Sequence, residues 1–226
     1  MPQNDSRTAF VVHPLWFRFT HWVNVVAVLI MVTSGWRIYN ASPVFPFRIP
    51  REITLGGWLG GALQWHFAAM WLFVANGLVY LVLNLLTGRL RRRLLPVSPR
   101  QVVADLTAAL RGHLRHDDPT HYNAVQKVAY LGTVVLLVVL VLSGLAIWKP
   151  VQFPLLRDLM GGFDNARVVH FIAMAAVVAF IGVHVVMVAL VPRSLLYMLG
   201  FRAPVTGAAQ AAYPQPTQPT VSGSIQ

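Results

Sequence analysis

Residues 168–186 read VVHFIAMAAVVAFIGVHVV. The run is apolar enough to lie in a lipid bilayer, yet it carries two imidazoles, His170 and His184. Ionisable side chains are costly in hydrocarbon, and where they occur in a span they usually have a job. Fourteen residues at 3.6 per turn come close to four whole turns, so the two histidines share one face of a helix, about 21 Å apart along its axis. One lies near one surface of the membrane and the other near the opposite surface.

The rest of the chain fits a membrane protein. Of its 226 residues, 56% are hydrophobic and only 11% are charged, whereas a soluble domain carries about 25% charged residues. Four runs, roughly 19–36, 62–87, 128–148 and 168–191, contain no Asp, Glu, Lys or Arg. Each can supply the ~20 residues that a spanning helix needs. Lipid offers backbone groups no partners, so helices are the expected form. The expected spans are 19–38, 62–87, 126–148 and 166–191, within one domain covering 1–202. The polar start MPQNDSRTAF has no compact basic segment, and no small-x-small site follows the first run, so that run reads as a retained span rather than a cleaved leader.

Charge sets the expected topology. The net charge of +11 gathers in the link between the second and third runs, in GRLRRRLLPVSPR (88–100), Arg111, Arg115 and Lys127. The positive-inside rule places that link in the cytoplasm, and both termini with it. The basic residues are thus explained by topology, and no nucleic-acid partner is expected. The 37–61 link sets Arg37, Arg48 and Arg51 against Glu52; the 149–167 link sets Lys149, Arg157 and Arg167 against Asp158 and Asp164. Both are expected to face outward. The stretch NASPVFPFRIPREITLGGWLGG (40–61) reads as an ordered outer loop with a short surface helix, and residues 100–116 as an amphipathic helix on the inner surface. Residues 203–226, rich in Ala, Pro, Gln, Thr and Ser, read as a disordered cytoplasmic tail.

Of eight histidines, His13, His113, His116 and His121 fall in polar segments and read as solvated. His21, His66, His170 and His184 fall in or at the edge of spans. With alternating helix directions, His21 and His184 lie at inner depth, and His66 and His170 at outer depth. Two imidazole pairs at two levels suggest two bis-histidine haems stacked across a four-helix bundle, each ligated once by the final span. The absence of cysteine excludes a covalent CxxCH haem site and cysteine-bound iron–sulfur clusters. A zinc site wants three or four ligands together, and these pairs are too far apart. Gly35, fourteen residues after His21, and Gly77, eleven after His66, face the same way as those histidines and would leave room for a macrocycle. Arg18 and Arg167 each precede a histidine by three residues and would hold haem propionates.

These features resemble the bacterial di-haem cytochrome b family. It includes cytochrome b-561 and the cytochrome b subunits of nickel–iron hydrogenases, formate dehydrogenase and thiosulfate reductase. The matching pieces are RFTHW (18–22), WHF (65–67), HYNAVQK (121–127), LSGLAIW (142–148) and the His170/His184 pair. The resemblance implies an all-α integral membrane four-helix bundle enclosing two haems b, in the bacterial inner membrane, with His21 and His184 on the inner haem and His66 and His170 on the outer. It also implies electron transfer between a periplasmic oxidoreductase subunit, of molybdopterin or hydrogenase type, and the quinone pool. Asn24, Tyr122, Asn123, Gln126 and Lys127, beside His121 at the inner mouth, are the candidate quinone contacts. Two competing functions are a stand-alone superoxide:quinone oxidoreductase, with Arg37, Arg48, Arg51 and Lys149 steering the anion, and a histidine-based metal transporter. The latter predicts midplane carboxylates or broken helices, which the four runs lack.

Overall fold

The computed structural model describes residues 13–88, 100–101, 103–104, 107 and 124–201. The described residues are all helix and connecting loop. Helix α1 spans Leu15–Ala41, α2 Leu59–Leu86, α3 Ala124–Trp148, α4 Pro154–Leu159, α5 Phe163–Leu190 and α6 Pro192–Leu199, with a 3₁₀ turn at Arg51–Ile53. Helices α1, α2, α3 and α5 are each long and apolar enough to cross a membrane. At 1.5 Å per residue, the 28 residues of α5 reach about 42 Å, beyond the ~30 Å hydrocarbon core. This is why the helices start two to four residues before the expected spans: Leu15 to Arg18, Leu59 to Gly61 and Phe163 to Asn165 form helical turns in the polar boundary layer. The expected inner-surface helix over 100–116 and the tail at 203–226 lie almost wholly outside the described residues.

The four long helices pack as two hairpins. Contact is densest between α1 and α2 and between α3 and α5, and contact between the hairpins is sparse. Within the hairpins the helices approach over small residues: Ala27, Ala62, Ala69, Ala146, Ala166 and Ala173 are all essentially buried. Lipid is as apolar as the helix faces, so close van der Waals approach and interhelical hydrogen bonds drive association here. Asn76 supplies such bonds between α2 and α1. Its amide donates to the Thr20 carbonyl at 2.8 Å and to Asn24 Oδ1 at 2.7 Å.

A repeat lies beneath this packing. Ala62, His66 and Ala69 of α2 recur 104 residues later as Ala166, His170 and Ala173 of α5. Ser34–Gly35 of α1 recurs 109 residues later as Ser143–Gly144 of α3. The second hairpin restates the first, and the two face each other.

Aromatic contacts close one end of the assembly. Tyr39 of α1 stands 4.5 Å from Phe171 of α5, ring centre to ring centre, and Phe67 of α2 stands 5.1 Å from Trp148 of α3. The 42–58 loop is pinned over this end. Asn40 exchanges two hydrogen bonds of 2.8 Å with the Ile49 backbone, and the Tyr39 hydroxyl donates to the carbonyls of Phe45 and Phe47. Gly56 holds φ +105°, and a Cβ there would lie 2.4 Å from the Ala62 backbone, so only glycine lets the loop turn into α2. The expected surface helix in this loop is the single 3₁₀ turn. Two short helices were not anticipated, α4 and α6. Each begins with a proline at its first turn, where the missing N–H costs nothing. Pro192 also ends α5.

Replacing Asn76 by leucine is expected to lower the stability of the α1–α2 hairpin by about 1 kcal/mol, the scale of a hydrogen bond between membrane helices. Unfolding of the purified protein in mixed detergent micelles measures it, and an unchanged midpoint would remove Asn76 as a helix fastener.

Candidate functional site

The four span histidines meet in two tiers between the hairpins. The His21 and His184 ring centres are 6.3 Å apart with planes at 61°. Those of His66 and His170 are 6.5 Å apart at 65°. Each tier draws one ring from the α1–α2 hairpin and one from α5. Each is an edge-to-face approach of two rings, and neither is a hydrogen bond. Two imidazoles binding one metal ion from opposite sides, through bonds of ~2.0 Å, set their ring centres about 6.3 Å apart. Both separations therefore fit one six-coordinate metal centre per tier. The sparse contact between the hairpins is compatible with a flat ligand at each pair.

The supports of the two tiers differ. In the His66–His170 tier each ring is held at Nδ1. His66 Nδ1 lies 3.1 Å from the Met31 carbonyl and 3.2 Å from Ser34 Oγ. His170 Nδ1 lies 2.9 Å from Ser143 Oγ. Both serines are fully buried. The glycine after each serine brings the backbone against the ring, for a Cβ on Gly35 or Gly144 would stand 3.4 Å from the Cε1 of His66 or His170. In the other tier, His184 stacks on Phe180 at 6.0 Å and 17°, and His21 meets Trp22 edge-on at 5.5 Å.

The other candidates are placed as follows. Gly35 lies against an imidazole rather than in open space, whereas a Cβ on Gly77 would meet nothing within 4 Å. Arg18, one turn before His21, has its Nε buried without a hydrogen-bond partner, and its guanidinium lies beside Gly200, the residue that ends α6. Trp22 fixes α6 there as well, donating from Nε1 to the Met198 carbonyl at 3.4 Å. A buried, unpaired guanidinium nitrogen is expensive, and an anionic group entering the gap would satisfy it. Arg167 is already committed, to the Ser42 carbonyl and to Asp164 Oδ1 at 3.5 Å; both partners lie at the closed end. Asn24 accepts from Asn76, and Lys127 sits half-buried in the first turn of α3. Tyr122, Asn123 and the side chain of Gln126 lie outside the described residues. The sequence reading gave no role to Ser34, Ser143 or Gly144, although the last two lie in the LSGLAIW match. The repeated Ser–Gly pair was the available signal.

Two facing pairs of imidazoles inside a four-helix membrane bundle are an arrangement that a membrane cytochrome would use. The sequence comparison agrees: residues 12–201 match the model of the family described as prokaryotic cytochrome b561, and the chain belongs to that family. The family implies b-type haem and a multi-pass protein of the bacterial inner membrane. A similar protein is that of Azospira oryzae named "Putative protein-methionine-sulfoxide reductase subunit YedZ1". It is 62% identical over 194 residues, which cover 86% of this chain and 98% of the relative. No solved structure matches the chain.

Leucine at Gly144 or at Gly35 is expected to push the neighbouring imidazole aside and, where that imidazole binds haem, to lower the haem content. Leucine at Gly77, where the protein leaves open space, is expected to perturb the haem spectrum only if a macrocycle fills that space. Optical spectra with haem quantification on the three variants check both, and Gly144→Leu with wild-type haem content would remove the ring contact as a constraint.

Proposed function

We propose that the chain is the di-haem electron-transfer subunit of a two-component oxidoreductase. His21 and His184 hold one haem b and His66 and His170 the other, and the subunit links the quinone pool to a periplasmic oxidoreductase. The observation that carries the reading is the pair of imidazole separations, 6.3 and 6.5 Å, at two levels of one bundle. The bound haems would supply a reversible one-electron couple at each level. The protein's part is to hold four imidazoles in place, to exclude water from them with the apolar spans, and to neutralise the propionates. Arg18 is suited to that last task at the His21–His184 tier. Arg167 serves the other tier only by giving up a present partner.

Orientation follows from charge. With the arginine-rich link of 88–100 in the cytoplasm, both termini are cytoplasmic. The His66–His170 tier, under the pinned 42–58 loop, then faces the periplasm, where the partner docks. The relative is named as a subunit of a protein-methionine-sulfoxide reductase, so a partner that reduces oxidised methionine is the first to try. The quinone site would lie at the cytoplasmic mouth, with Asn24 and Lys127 among the described residues and Tyr122, Asn123 and Gln126 beyond them. Oxidation of a quinol releases two electrons and two protons. Asn24, one turn from His21, would hydrogen-bond a quinone oxygen there. Its bond to Asn76 already fixes its side chain.

A stand-alone superoxide:quinone oxidoreductase is the alternative. Arg37, Arg48 and Arg51 do line one cleft of about 460 Å³ beside the 42–58 loop, and such a cleft would attract an anion. Superoxide-driven quinone reduction by the isolated protein separates the two.

Purified protein is expected to carry about two haems b per chain and to be reduced by quinol. His170→Ala and His184→Ala are each expected to lose or perturb a different haem, leaving about one. A colourless wild type, or a single haem unaffected by one of the two substitutions, would overturn the proposal.

A further inference from the structure

The hydroxyls of Ser34 and Ser143 each have one hydrogen to give. Ser34 gives it to the Ile30 carbonyl at 2.5 Å, and Ser143 to the Val139 carbonyl at 2.6 Å, each one turn back on its own helix. What Ser34 Oγ offers His66 Nδ1, and Ser143 Oγ offers His170 Nδ1, is therefore a lone pair. A lone pair facing Nδ1 requires a proton on Nδ1. The Met31 carbonyl beside His66 makes the same demand. Both imidazoles are thereby fixed as the Nδ1–H tautomer, and Nε2 is left as the bare, electron-rich nitrogen that a metal takes.

The device belongs to one tier only. Among the described residues no hydrogen-bonding group meets a ring nitrogen of His21 or His184, whose ring contacts are with aromatic rings and with each other. The repeat explains the difference. His66 and His170 occupy equivalent places in the two hairpins, so each faces an equivalent Ser–Gly pair. His21 and His184 have no such equivalence: the residues corresponding to them, 109 later and 104 earlier, are Tyr130 and Tyr80.

We infer that Ser34 and Ser143 are positioning residues that set the tautomer of His66 and His170 and hold the reduction potential of the haem between them below the value that the same two ligands would give unaided. A hydrogen bond from Nδ1–H to a lone pair makes the imidazole a stronger base, and a stronger base favours the more highly charged, oxidised iron. The inference rests on the di-haem reading above.

Redox titration of the purified protein, followed in the haem absorption bands, tests it on wild type, Ser34→Ala, Ser143→Ala, the double alanine variant and the two threonine variants. Titration of His184→Ala, which retains the His66–His170 tier, identifies the relevant transition. In the double alanine variant that transition is expected to shift upward by about tenfold in its equilibrium constant, or about 59 mV for one electron, with the other transition in place. Threonine keeps a hydroxyl that can bond the preceding turn, and is expected to restore the wild-type value. Loss of that haem from the alanine variants but not from the threonine variants would equally support the inference. Both haems present with neither transition moved, both transitions moved together, or threonine behaving as alanine would overturn it and leave the di-haem reading intact. A wild type with fewer than two haems would instead refute that reading.

Discussion

An imidazole inside a bilayer has two nitrogens to satisfy and no water to satisfy them. That constraint organises this molecule. Each of the four span histidines lies across a gap from another, at 6.3 or 6.5 Å, too far for direct hydrogen bonding. The helices pack densely within each hairpin and thinly between hairpins. At that spacing a metal ion held between the two rings would satisfy both at once. The same constraint accounts for the helix faces. Alanines lie where helix meets helix, at Ala62, Ala69, Ala166 and Ala173, so that each hairpin is tight without help from its neighbour.

Much of this was legible in the chain itself. Length and hydropathy place four spans. Helical period and alternating direction place the four histidines at two depths and pair them, because both depend only on rise per residue and on chain direction. The supports are a different kind of fact. Ser34 reaches His66 only because α1 and α2 cross at a particular rotation, and nothing local to TSGW (33–36) states that rotation. Serine and glycine are also common wherever membrane helices touch, so their presence alone carries little. Gly35 illustrates the limit. Its spacing from His21 puts it on the expected face, yet what it meets there is the His66 ring. Arg167 is similar. Its place one turn before His170 is as expected, but its reach to the Ser42 carbonyl depends on how the 42–58 loop folds back.

The repeat gives these supports a common origin. Two copies of a helical hairpin, each with a small-residue seam, a histidine near the start of the second helix and a Ser–Gly pair near the end of the first, face one another across the gap. The tier that obeys the repeat, His66 with His170, is symmetric in ligand and in support. The His21–His184 tier breaks it. One of its histidines comes from the first helix of the first copy and the other from the second helix of the second, and tyrosines take the equivalent places, Tyr130 and Tyr80. A symmetric pair of hairpins would present identical environments on both sides of each tier. Breaking the symmetry at one level lets that level face different groups on different sides.

That asymmetry bears on which tier meets a diffusing substrate. The symmetric tier is closed over by Tyr39, Phe171, Phe67, Trp148 and the pinned loop. The other tier is flanked by a polar set of different make-up: Arg18 with an unpaired Nε, the Asn24–Asn76 amide pair, and α6 laid across the end of α1 by Trp22. A quinone needs hydrogen-bonding partners for its oxygens and a route for protons, and both are polar requirements. The amides and the guanidinium lie at the level of His21 and His184, where the symmetry is broken. Exact repetition would have set the same residue on both sides of that level, as it does at His66 and His170.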